Sequence, residues 1–165
     1  MATPPRKNRT LADEIGKQEA FSSLQQETHL NLLRTSSQLL REFVQLFESE
    51  GVSDSQYNVL RILQGIGKPM QIYQIGELLI SPQADISRLI ERMAKAELVV
   101  RNRCEEDRRV VWIGLAPKGK AVLKRLAGPV DQLHRSQFQT LSRQELSTLN
   151  SLLFRARQND HDERT

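Results

Sequence analysis

Arg88 and Arg92 stand four residues apart in a run that also offers Gln83, Asp85 and Ser87. A guanidinium is a planar fork of donors that fits guanine edges or phosphate oxygens, and Gln and Ser can hydrogen-bond to bases or to the sugar-phosphate backbone. A second charged group follows in Cys104-Glu105-Glu106-Asp107-Arg108-Arg109. An Asp and an Arg two residues apart in a tight turn can pair, and that pairing pre-sets the guanidinium. This is chemistry for recognising a polyanion, not for making bonds. The chain has no nucleophile elbow, no phosphate-binding glycine loop and no clustered His, Cys and Asp set, so an enzyme is the weakest class of function. His29, His134 and His161 are scattered, and Cys104 is alone, which leaves no internal disulfide and no zinc-ligand spacing. No cofactor or metal is expected.

The first group needs a helix. Ser81 is a capping residue and Pro82 suits a first helical position, so the helix is expected to start there. Ile86, Leu89, Ile90 and Met93 then fall at i, i+3, i+4 and i+7, a stripe to be buried. At about 100° per residue the opposite face carries Ala84, Arg88, Glu91 and Lys95, flanked by Asp85, Ser87 and Arg92. Small residues come first on that face and arginines later. Between Ser81 and Arg109 there are seven basic and six acidic residues. The case for a polyanion partner therefore rests on arrangement, not on net charge.

The neighbouring elements supply that arrangement. Ser53 and Gln56 form a capping box, with Val52 and Tyr57 as its staple, and the helix they open ends near Gly65-Ile66-Gly67. Met70 to Leu79 reads as a short helix, broken at Ile80-Ser81-Pro82. Two short helices with a tight break make a helix-turn-helix. Leu98-Val99-Val100-Arg101-Asn102-Arg103 and Val110-Val111-Trp112-Ile113-Gly114-Leu115 are β-rich runs around the charged tip, a hairpin that forms a wing.

Long helical patterns flank this region. From about Lys17 to Glu50, Leu30, Leu33, Ser37, Leu40, Val44 and Phe47 follow a 3-4-3-4 spacing, and Gly51 ends the pattern. Pro117 opens a later helix that Gly128-Pro129 should kink. Ser142 and Glu145 form a second capping box, followed by Leu146, Leu149, Leu152, Leu153 and Ala156.

This order resembles the MarR family of winged helix-turn-helix transcription factors, over about residues 25 to 157. The residues that carry the resemblance are Ser53-x-x-Gln56-Tyr57-x-Val59-Leu60, Ile86-Ser87-Arg88-Leu89-Ile90-x-Arg92-Met93, Leu98-Val99-x-Arg101, and Asp107-Arg108-Arg109-x-x-x-Ile113-x-Leu115 with Lys118-Gly119. Two departures stand out. Glu97 occupies a place where the family often has Gly, and Leu115-Ala116 one where it often has Leu-Thr.

The resemblance implies a mainly α fold with a small β-wing and long N- and C-terminal dimerisation helices. It implies an obligate homodimer whose first and last helices interlock, through Leu30, Leu33 and Leu40 and through Leu146, Leu149 and Leu153. The DNA-binding residues would be Ser81, Pro82, Gln83, Ala84, Asp85, Ser87, Arg88 and Arg92 in the major groove and Asp107, Arg108 and Arg109 on the wing. Arg109 would enter the minor groove, held by Asp107. Double-stranded DNA with a palindromic operator is the expected partner, and a small aromatic effector is implied; Phe43, Phe47 and Tyr57 fit the lining of its cleft and a packed core equally well, so no effector residue is assigned. A repressor is the expected role; a winged-helix module that binds protein instead of DNA is the alternative.

At 165 residues with a net charge of +4, the chain is long enough for a real core. No apolar run approaches the roughly 20 residues of a membrane span, and the Pro-rich basic start lacks the apolar stretch of a secretory signal, so a cytoplasmic protein is expected. The chain divides into a disordered basic tail over 1–16, the N-terminal dimerisation helix over 17–51, the winged region over 52–116, the C-terminal dimerisation helices over 117–159 and a disordered tail over 160–165.

Overall fold

The computed structural model describes residues 10–103 and 110–158. Its elements are α1 (Leu11–Ile15), α2 (Leu24–Ser49), α3 (Asp54–Ile66), β1 (Met70–Gln71), α4 (Ile72–Leu78), α5 (Ile86–Lys95), β2 (Val99–Arg103), β3 (Val111–Leu115), α6 (Pro117–Gln137) and α7 (Arg143–Ala156). Residues 1–9, 104–109 and 159–165 lie outside the described residues. They include most of both expected tails and the expected wing tip, with Cys104, Asp107, Arg108 and Arg109. The chain divides into two compact units, Met1–Glu42 and Phe43–Thr165.

The first unit corrects two expectations. Residues 11–15, placed in a disordered tail, form α1 because a capping box is encoded there: the Thr10 hydroxyl accepts from the Asp13 N–H at 3.3 Å, and the Asp13 carboxylate accepts from the Thr10 N–H at 2.9 Å. Gly16 ends the turn at φ +68°. The long helix then starts at Leu24 instead of near Lys17, where the Ser23 hydroxyl accepts from the Gln26 N–H at 3.1 Å. Glu14 pairs with Arg34 at 3.5 Å. Leu24, Leu32, Leu33 and Leu40 are exposed on α2, Leu33 at 54%.

In the second unit the expected α3 capping box is present. The Ser53 hydroxyl accepts from the Gln56 N–H at 3.3 Å and the Gln56 amide oxygen accepts from the Ser53 N–H at 2.8 Å. Met70 and Gln71, expected to start a helix, instead form a third strand. The antiparallel order is β1-β3-β2, with Met70 opposite Ile113 and Val99 opposite Leu115. Two residues are too few for a period-2 pattern to show, and only the pairing with Ile113 and Trp112 defines them.

The core gathers Val59, Leu60, Ile75, Ile90, Met93, Ile113, Val122 and Leu126, all fully buried. Each of the larger ones contributes roughly 1.5–3 kcal/mol by leaving water. α6 packs on α3 through Gly119, where a Cβ would collide with the Leu98 carbonyl oxygen and press on Leu60. Arg125 on α6 ties Glu50 at 2.6 Å. α6 runs through Pro129 as one helix. α7 opens on the expected Ser142–Glu145 box and buries none of its residues.

Candidate nucleic-acid interface

α5 is held by one face and shows the other. Leu89, Ile90 and Met93 are buried and Ile86 packs against the same core, so the stripe expected from the spacing is the one that is covered. Ser87, Arg88, Glu91, Arg92 and Lys95 are exposed on the outside.

The helix start differs from expectation. α5 begins at Ile86 and not at Pro82, and its cap is Asp85, not Ser81. Asp85 Oδ1 accepts the Arg88 N–H, the third of the helix, at 2.9 Å, and a carboxylate at the cap meets the partial positive charge of the helix end. Ser81, Pro82, Gln83 and Ala84 therefore form an exposed irregular approach to the helix.

Charge on the outer face is largely matched. Asp85 Oδ2 lies 3.0 Å from Arg88 Nε, and Glu91 Oε1 lies 2.9 Å from Lys95 Nζ. The Lys95 ammonium beside Glu91 holds that carboxyl below its usual range, with smaller help from Arg101 and Arg88. Arg92 meets no carboxylate among the described residues. Arg101, exposed on β2, adds to the positive field felt by Glu91. It was quoted in the sequence pattern but not singled out as a site residue, because position in a strand does not reveal which helix its charge will approach.

The end of α5 explains one departure from the family pattern. Glu97 takes φ +61°, the left-handed conformation that glycine adopts most easily. The Leu98 N–H donates to the Met93 carbonyl at 2.9 Å and the Glu97 N–H to the Ala94 carbonyl at 3.0 Å, a Schellman cap closed by the buried pair Met93 and Leu98. That turn feeds α5 directly into β2. The other departure leaves α6 with Ala116 at its cap and no side-chain hydrogen bond there.

Of the residues expected to meet DNA, Ser81 to Asp85, Ser87, Arg88 and Arg92 are all exposed, in the approach to α5 and on α5 itself. Asp107, Arg108 and Arg109 lie outside the described residues. The hairpin register runs to Arg103 opposite Val111, so these three belong to the segment that joins β2 and β3. Elsewhere in this unit, Phe47 stacks on Tyr57 at 4.2 Å and Phe43 packs on His134 at 4.8 Å, which brings the three aromatic residues named for an effector cleft into one cluster. Burial raises the Tyr57 phenol above its ordinary value, partly offset by Arg61. Among the described residues no group of His, Cys, Asp and Glu is placed to hold a metal, and no helix is long and apolar enough to cross a membrane.

Comparison with known proteins agrees with this geometry. The MarR family profile matches residues 50–110. A MarR transcription factor of known structure from Planctomyces limnophilus is 38% identical, covers 81% of this chain and 98% of its own, and superposes with a TM-score of 0.63. The transcriptional regulator MgrA of Staphylococcus aureus is 26% identical over 132 residues, 79% of this chain and 88% of that protein. BpsR of Bordetella bronchiseptica is 23% identical, covers 79% of this chain and 98% of its own, and has a TM-score of 0.70. The chain belongs to the MarR family. It is a DNA-binding transcription regulator with the winged helix-turn-helix fold.

Proposed function

We propose that the chain works as a homodimeric, sequence-specific repressor that places α5 in the major groove and Arg109 in the minor groove of a palindromic operator. One observation carries this reading. Three buried side chains, Leu89, Ile90 and Met93, fix α5 in the core, while Ser87, Arg88 and Arg92 stand exposed on its other face beside the hairpin. A helix anchored in this way presents its outer residues in fixed register to a groove.

The dimer is supported by what a single chain leaves uncovered. On α7, Leu152 is 52% and Phe154 56% exposed, and α2 exposes four leucines. Leu30, Leu33, Leu40, Leu146, Leu149 and Leu153, with these two, are the residues a second copy would cover. A small aromatic effector is supported by the cluster of Phe43, Phe47 and Tyr57 beside His134. The DNA binding of BpsR is itself regulated by 6-hydroxynicotinic acid.

The balanced charge of the α5 face favours one other reading, a protein-binding winged helix. Salt dependence of duplex binding separates the two. A DNA reader loses affinity with a slope in log K against log salt of about −0.9 per phosphate contacted. No saturable binding to any duplex at low salt would favour the protein partner.

A further inference from the structure

Asp85 is an acidic residue on the surface proposed to meet a polyanion, where its charge opposes the approach of phosphates. Capping alone does not require that charge, since Ser or Asn caps about as well; the helix end favours a carboxylate, and the same carboxylate also engages Arg88. Its two oxygens serve one residue. Oδ1 accepts the backbone N–H of Arg88 at 2.9 Å, and Oδ2 lies 3.0 Å from the Nε of the same Arg88. The Arg88 side chain stays 82% exposed in this pair. Closest approach is at Nε, which leaves the terminal nitrogens available, and those can bond to O6 and N7 of a guanine. An ion pair this exposed adds little to folding. Its effect belongs to binding, where it removes rotamer freedom from a long side chain before the base is met. Arg92 has no such partner among the described residues, which marks it as the phosphate-seeking cation of the two.

We propose that Asp85 is a positioning residue that holds Arg88 over the first turn of α5 to read one guanine in each half-site, raising specificity while lowering affinity for non-cognate DNA. This rests on the DNA-binding reading above. The test uses the full chain and the substitution Asp85→Asn, which keeps an acceptor for the Arg88 N–H and removes the charge. Dissociation constants are measured for three sets of duplexes: the consensus that the wild type recovers from a random pool, its single-base variants, and a scrambled duplex of equal length. Wild type should prefer guanine at one half-site position by about tenfold or more. Arg88→Ala should abolish that preference, and Asp85→Asn should flatten the same position while binding the scrambled duplex as tightly as wild type or tighter. The double variant should lose nothing further.

Asp85→Asn keeping the preference, or flattening a different position from Arg88→Ala, would overturn the proposal. Equal weakening on every duplex with a lowered melting temperature would also overturn it, because that is the signature of a cap alone. Wild type failing to bind any duplex saturably would remove the DNA-binding reading itself, and this inference with it.

Discussion

The two arginines on the outer face of α5 differ in electrostatic setting, and a third of the proposed interface is known by sequence position alone. Arg88 is paired, Arg92 meets no carboxylate among the described residues, and Arg109 follows Asp107 by two residues in the segment joining the wing strands. On the proposed minor-groove role, Arg109→Ala should weaken operator binding by about 1–3 kcal/mol without lowering the melting temperature. Unchanged affinity in a mobility-shift titration would take the wing out of the interface. Arg92→Ala should instead weaken cognate and scrambled duplexes alike and reduce the salt slope by about one phosphate. Residue types and spacing made these arginines visible in the sequence. Their pairing was not visible, because Ser81-Pro82 and Asp85 compete for the same helix start. Only the folded turn shows that the Asp85 carboxylate wins, and that Arg88 is its partner.

Elements were most legible where a side chain closes its own helix end. The Ser53–Gln56 and Ser142–Glu145 boxes could be read directly, since their bonds span three residues and need no tertiary context. The same rule was missed at Thr10–Asp13, in a stretch whose composition argued for a tail. β1 was illegible because two residues become a strand only by pairing with β3. The joint between α5 and β2 carries a local conflict, a Glu in a left-handed turn. Glu97→Gly should raise stability by about 0.5–1 kcal/mol, seen as a higher urea midpoint at constant slope. A lower midpoint would show that the Glu97 side chain contributes something the backbone geometry does not reveal. Gly119 is the opposite case. Its missing Cβ lets α6 close on the Leu98 carbonyl, so Gly119→Ala should cost about 1–3 kcal/mol through overpacking.

For the whole molecule, a 14-residue α7 with no buried residue is marginal by itself in water, and its exposed Phe154 extends the apolar surface beyond the residues that spacing picked out, Leu152 among them. Replacing Leu149 and Leu153 with Glu should give a monomer by light scattering that binds paired half-sites far more weakly than wild type. A variant that remains dimeric would place the subunit contact elsewhere. The near-neutral face of α5 would make the proposed dimer matter for affinity as well as symmetry. With Asp85 and Glu91 offsetting Arg88 and Lys95, one helix offers DNA little net charge beyond Arg92, and in the proposed dimer the second copy supplies what one lacks. Selection of bound duplexes from a random pool tests this most directly. The expected consensus is an inverted repeat whose half-site centres lie about 10–10.5 base pairs apart, or a multiple of that. An undivided single half-site, or no enrichment at all, would contradict a dimer that reads DNA through α5.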